Sequence, residues 1–150
     1  MRDIKREELN HLRTTAAASL HALQERYGLL REGMAEWPST ERDMDTLMRA
    51  WRSDSNRDRP PKDTLVEALG FALGYYLTGK FSLRWCIAPD DISLSRCRVV
   101  GEHYGNPLCI APFDLVEHQV ESRLQRNFSN LVDEALQARS LPIRTYSLAS

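Results

Sequence analysis

Clustered metal ligands, paired cysteines and long apolar runs are what this sequence lacks. Its three cysteines, Cys86, Cys97 and Cys109, are odd in number and too far apart for the close spacing that metal sites and redox motifs use. They read as buried free thiols in a reducing cytoplasm, and neither a disulfide, a metal nor a cofactor is needed to hold the fold. Lysine is scarce, three residues against seventeen arginines, and twenty-one acids bring the formal net charge to -1. Up to and including Lys62 there are 12 basic and 11 acidic residues, and beyond it 8 and 10, so neither half carries a field that would steer it to nucleic acid or to anionic lipid. No stretch approaches the ~20 apolar residues that a bilayer requires. The opening MRDIKREELN is charged and has no apolar centre, which argues against export by a signal peptide. GxSxG, HExxH, Walker and GxGxxG patterns are all missing, and with them the commonest sequence evidence for catalysis.

What the chain does have is a largely apolar stretch from Thr64 to Ala88, short of a membrane span and interrupted by Glu67. In 150 residues a single domain can bury about two thirds of the surface that its unfolded form exposes, and this stretch supplies the centre. Thr64 and Glu67 have the spacing of a capping box, so a helix is expected to start there. Leu65, Leu69, Ala72, Leu73 and Tyr76 recur at helical steps, while Val66, Phe71, Tyr75 and Leu77 cover much of the remaining circumference. Gly70 and Gly74, one turn apart, predict an unusually close approach by a sheet. Gly79 is the expected end of the helix. From Phe81 to Ala88 apolar and small or polar residues alternate around Trp85, the pattern of a strand with one buried face. Pro89, Asp90 and Asp91 then mark a turn, and Ile92 to Val100 reads as the returning antiparallel strand, with a bulge near Ser95 and Arg96.

The front part, residues 1–52, is expected to be helical. Leu9, Ala16, Leu20, Leu23, Tyr27, Leu30, Met34 and Trp37 predict one long helix or two collinear ones, weakened at Gly28 and Gly33 and closed by Pro38. This face suits packing on the domain itself, and a homodimer through it is the other arrangement. Ser39 or Thr40 caps a second helix with Met44, Leu47, Met48 and Trp51 in one stripe. Glu41, Asp43 and Asp45 suit the positive end of its dipole. Residues 53–63 form a polar, proline-terminated loop, residues 64–140 the α+β core, and 141–150 a tail.

Beyond the hairpin, Gly101 to Pro107 reads as a turn-rich connection and Leu108 to Ala111 as a third strand. Pro112 starts a helix with Val116, Val120 and Leu124 on its inner side, and a last helix spans about Asn130 to Ala138. The fold expected is a single α+β domain with a small antiparallel sheet of about three strands. His11, His21 and His118 fall on helix surfaces, whereas His103 falls in a loop. With Glu102 and Tyr104 beside it, and Asp90 and Asp91 in the other sheet turn, His103 belongs to the candidate partner-binding patch. Whether the two turns share an edge depends on strand order.

The run from Leu69 to Glu121, with GFALGYYL, the Trp85 strand followed by Pro89, Asp90 and Asp91, and CIAPFDLVEHQVE, resembles a bacterial family of small uncharacterised domains. Those domains are similar in type to toxin-immunity proteins. The resemblance implies a cytoplasmic, non-enzymatic protein that binds a protein partner, in its most specific form a cognate toxin that it neutralises by forming a complex. It carries over no catalytic residues. The other readings of the sequence are a small hydrolase or transferase with His103 as its base, and a self-associating structural subunit.

Overall fold

The structure, a computed structural model, describes residues 1–33, 36–38, 40–88, 94–122 and 126–137. Within them the chain is a single α+β domain of five helices and one four-stranded antiparallel sheet. The elements in order are β1 (Arg2–Asp3), α1 (Arg6–Arg26), α2 (Glu41–Ser53), α3 (Lys62–Phe81), β2 (Arg84–Ile87), β3 (Cys97–His103), β4 (Asn106–Ile110), α4 (Pro112–Glu121) and α5 (Phe128–Gln137), with a 3₁₀ turn at Leu94–Arg96. Strands lie in the order β1-β2-β3-β4, each antiparallel to the next.

Helix α3 is the axis of the molecule. Its residues Leu65, Ala68, Leu69, Ala72 and Leu73 are fully buried, and α1, α2, α4 and the sheet all pack on it. The two glycines do admit a close approach, but by aromatic rings and not by a sheet backbone, and at Gly70 the ring comes from helix α4. A Cβ on Gly74 would stand 2.1 Å from the indole of Trp85 in β2, and one on Gly70 would stand 2.3 Å from the ring of Phe113 in α4. Each glycine thus gives up about 1 kcal/mol of helix propensity so that a large ring can lie flat against the helix. Phe71 stacks on Trp85 at 5.4 Å with an angle of 14° between ring planes, and Trp37 packs on Phe71 at 4.8 Å.

The helix boundaries depart from expectation at both ends of α3. The first turn begins at Lys62 behind Pro61, and Glu67 accepts from the Ser19 hydroxyl of α1 instead of closing a capping box on Thr64. Proline, already extended, makes the entry. At the other end the helix runs past Gly79 through Phe81 and stops where Ser82 turns left-handed, φ 56°. Phe81 is therefore the last helical residue and not the first of the strand.

Helix α1 ends at Arg26, well short of Pro38. Gly28 takes φ +66° and leads the chain out of the helix, so Trp37, although in phase with the α1 stripe, reaches the core from an irregular segment. The α1 stripe of Ala16, Leu20 and Leu23 is spent on α3. Met34 lies outside the described residues. Helix α2 follows its sequence signals: the Asp43 N–H donates to the Thr40 hydroxyl at 3.2 Å, and Met44, Leu47, Met48 and Trp51 are buried. Asp45 has a further task, accepting the Phe128 N–H at 2.7 Å at the start of α5. The loop after α2 is pinned: Asp54 accepts from Arg26 and from the Tyr27 hydroxyl, both at 2.8 Å, and the Trp51 indole donates to the Pro60 carbonyl.

In the sheet, the expected third strand is present as β4, and a fourth, β1, comes from the charged opening stretch. Arg2 pairs with Ile87 and Asp3 with Cys86. The Lys5 N–H and the Arg2 guanidinium both reach Glu8, at 3.0 and 2.7 Å, which fixes the step from β1 into α1. The expected bulge at Ser95 and Arg96 is the 3₁₀ turn, so β3 begins at Cys97 and continues through Gly101, Glu102 and His103, all assigned to a connection by the sequence. Only Tyr104 and Gly105 form the turn to β4. Helix α4 starts with Pro112 in its first turn, and Leu124, Ile92 and the 141–150 tail lie outside the described residues. All three cysteines are free thiols on strands, with Cys86 and Cys97 buried.

Candidate functional site

Tyr104 stands in the turn between β3 and β4. The register His103↔Asn106 closes a two-residue hairpin, and both turn residues are left-handed, Tyr104 at φ 52° and Gly105 at φ 77°. Such a turn prefers asparagine then glycine; a tyrosine at its first position costs about 1–2 kcal/mol of backbone strain. The strain buries little of the ring, because Tyr104 is 89% exposed. A large ring is thus held out into water against its own backbone preference.

The ring does not stand alone. His103 meets it at 4.4 Å and on its other side meets Phe81, the last residue of α3, edge-on at 5.2 Å. The Lys80 ammonium lies 5.7 Å from the Phe81 ring and 5.3 Å from that of Tyr76, and it donates to the Tyr76 hydroxyl at 2.8 Å. Tyr76 in turn donates to Glu41 of α2 at 2.9 Å. Burial raises the Tyr76 pKa, and the hydrogen bond to Tyr76 raises that of Lys80, so this relay keeps the phenol neutral and the lysine charged. Next to it, Tyr75 is 46% exposed and packs at 6.2 Å from Trp37. Tyr75, Tyr76, Gly79 and Lys80 form one bank of an open cleft of about 570 Å³, and Glu36, Trp37 and Pro38 form the other. The C-terminal end of α3 and the β3–β4 turn therefore present a ridge of Tyr104, His103, Phe81, Lys80, Tyr76 and Tyr75.

Gly79 lies in this cleft for no packing reason. It is helical, exposed, and a Cβ there would meet nothing within 4 Å. Falling four residues after Tyr75, it leaves the space over that ring's turn of the helix open.

Of the residues expected to form the patch, His103 and Tyr104 are together on the ridge. Glu102, one residue earlier on β3, is exposed and faces the opposite side of the hairpin, since successive strand residues alternate. Asp90 and Asp91 lie outside the described residues. The ends of the strands that flank them, Ile87 and Cys97, are paired six residues from His103, about 20 Å along β3. Among the described residues of the expected patch, His103 and Tyr104 are brought together and Glu102 is turned away. Phe81, Tyr75, Tyr76, Lys80 and Gly79 were missed because their period is that of a buried helix; the one available signal was Gly79 in a helix that did not stop there.

As a base, His103 would need an orienting acid and a nucleophile. Its contacts are the two rings, with no hydrogen bond from its imidazole among the described residues. Among the described residues no group of three or more His, Cys, Asp and Glu is placed to hold a metal ion, and no helix is long and apolar enough to cross a membrane. No protein-family model, no curated protein and no solved structure matches the chain.

Proposed function

We propose that this protein is a non-enzymatic, cytoplasmic protein-binding domain that docks its partner on the aromatic ridge, and that in its most specific form it is an immunity protein holding a bacterial toxin in an inactive complex. The observation that carries the reading is Tyr104, exposed and left-handed, in ring contact with His103 and through it with Phe81, which Lys80 joins to Tyr76. Interface anchors are enriched in tyrosine, tryptophan and arginine, and they work best where the ring is already fixed before the partner arrives. The Phe81, His103 and Tyr104 edge contacts, and the Lys80, Tyr76 and Glu41 relay, fix this ridge in advance. The likeness in type to toxin-immunity proteins supplies the more specific half of the proposal.

The test is capture of the tagged protein from its own cells beside a Tyr75→Ser/Tyr104→Asn variant, with mass spectrometry of both eluates. A stoichiometric partner on the parent protein, lost from the variant, is the expected result. Retention of the same partner by the variant would place the interface elsewhere. Co-expression with a partner that carries a toxin domain should then restore growth, and the variant should fail to do so.

A further inference from the structure

The two edges of the sheet are finished differently. At one, β1 contributes two charged residues before the chain enters α1. At the other, β4 is five residues long, and no described strand lies beyond it. Parity decides which backbone groups that edge offers. The pair His103↔Asn106 closes a two-residue turn, so Asn106, Leu108 and Ile110 aim their backbone groups at β3, and Pro107, Cys109 and Ala111 aim theirs outward. The other side of β3 agrees, since the Ala88 N–H donates to the Arg96 carbonyl at 2.8 Å and the even-numbered residues of β3 thus face β2. Two of the outward groups are missing or spent. Pro107 has no N–H, and the Ala111 carbonyl accepts the Leu115 N–H at 3.0 Å as the first bond of α4. What remains is the Pro107 carbonyl, both groups of Cys109 and the Ala111 N–H, none of them partnered among the described residues. Ala111 is extended, φ −103° and ψ 92°, and can carry the ladder one residue past β4.

We propose that β4 pairs antiparallel with β4 of a second copy of this chain, about a two-fold axis at Cys109, so that the two sheets become one. In that register Cys109 faces its own copy and exchanges both N–H···O bonds with it, and each Ala111 N–H donates to the Pro107 carbonyl of the other copy. The two deficits of the edge then cancel. Ala111 stands opposite Pro107 of the other copy, so the carbonyl already spent in α4 meets the residue that has no N–H to give it. A generic strand laid on this edge would turn a carbonyl toward Pro107 and an N–H toward the spent Ala111 carbonyl, and both would stay unpaired. Sliding the self-pair by two residues in either direction loses half of its bonds. The outer face of the sheet matches as well. Val100 stands directly opposite Cys109, both half-buried in one copy, and the pairing sets them and their copies in one cross-strand row of apolar side chains. The contact does not rest on the aromatic ridge or on its partner, and it puts the two Tyr104 turns at opposite ends of the shared strand pair.

The experiment is sedimentation equilibrium of the full chain under reducing conditions, with amide hydrogen exchange followed by nitrogen-15 NMR at low and high concentration. So short a strand pair lies at the small end of interface sizes, and a dissociation constant of about 0.1 mM is expected. Going from about 0.05 to 1 mM should then slow exchange at Cys109 and Ala111 about twofold or more, and leave the unbonded turn amide of Gly105 as fast as before. Ala111→Pro removes one outward donor at an extended position that suits proline, and should weaken the dimer about fivefold or more. Cys109→Lys sets like charges face to face across the axis, at about 5.5 Å between Cα atoms, and should weaken it about tenfold or more. It decides the matter if Ala111→Pro loses its cooperative melt. Mild oxidation of the parent dimer with diamide should join Cys109 to Cys109, since that spacing is within the reach of a disulfide. A chain still monomeric at about 1 mM, a dimer weakened by neither substitution, or slowed exchange that spares Cys109 and Ala111 would overturn the proposal.

Discussion

The middle of α3 and its C-terminal end obey different rules. In its middle, Gly70 and Gly74 are glycines because rings of Phe113 and Trp85 occupy the space of their missing Cβ atoms. At its end, Gly79 has open space around it and a φ that any residue can adopt, and beyond it Tyr104 holds a left-handed conformation without burying its ring. The first pair are explained wholly by the folded core. The second pair cost stability and bury almost nothing in return. Where a residue works against the fold that contains it, contact with something outside the fold is the economical explanation.

Substitution can break that comparison. Gly74→Ala should have the largest effect, a loss of about 3 kcal/mol or more, because neither the indole of Trp85 nor the helix backbone can yield 1 Å without unstacking Phe71. Urea unfolding measures it, and an unchanged midpoint would mean that the two kinds of glycine do not differ. Tyr104→Asn should act in the opposite sense, raising stability by about 1 kcal/mol by giving the turn its preferred asparagine and glycine while removing the anchor. Gly79→Ala should add about 0.5–1 kcal/mol of helix propensity and weaken the partner, since a methyl group then projects into the cleft. A variant that gains stability and keeps full partner affinity would remove Gly79 from the site.

The smallest effect is expected at the exposed pair near β1, which belongs to neither class. Arg2 and the Lys5 N–H hold the Glu8 pKa down to about 2. A carboxylate depressed on folding contributes stability that is fully present above its unfolded pKa, about 4.3. That contribution is lost as pH falls from there through about 2. Glu8→Gln should therefore flatten the acid limb of a thermal-stability curve below about pH 4.5 and change little at neutral pH.

The buried half of the fold was legible from the sequence because burial leaves a period. The α2 stripe behind Thr40, the Gly70 and Gly74 spacing, the Trp85 strand and the Pro112 helix start all follow from it. Boundaries set by single backbone dihedrals were not legible. Ser82 turns left-handed three residues after the more obvious Gly79, and Gly28 ends α1 although the apolar spacing continues to Trp37. The ridge was half legible: His103 and Tyr104 were picked out by composition. A tyrosine followed by glycine is not a recognised tight-turn signature, however, so β3 was cut short and His103 was assigned to a loop.

The pairing of β1 with β2 sets a timetable for synthesis. Arg2 leaves the ribosome 85 residues ahead of Ile87, its partner in the sheet, which at roughly 5–20 residues per second is an interval of about 4–17 s. Throughout it β1 has no strand to join, and Ala16, Leu20 and Leu23 of α1 wait similarly for the surface of α3. The nascent chain must carry its first helix uncovered until the central one has been made. An early-acting chaperone would meet α1 in that interval, and slowing translation between Asp54 and Lys62 should prolong the encounter.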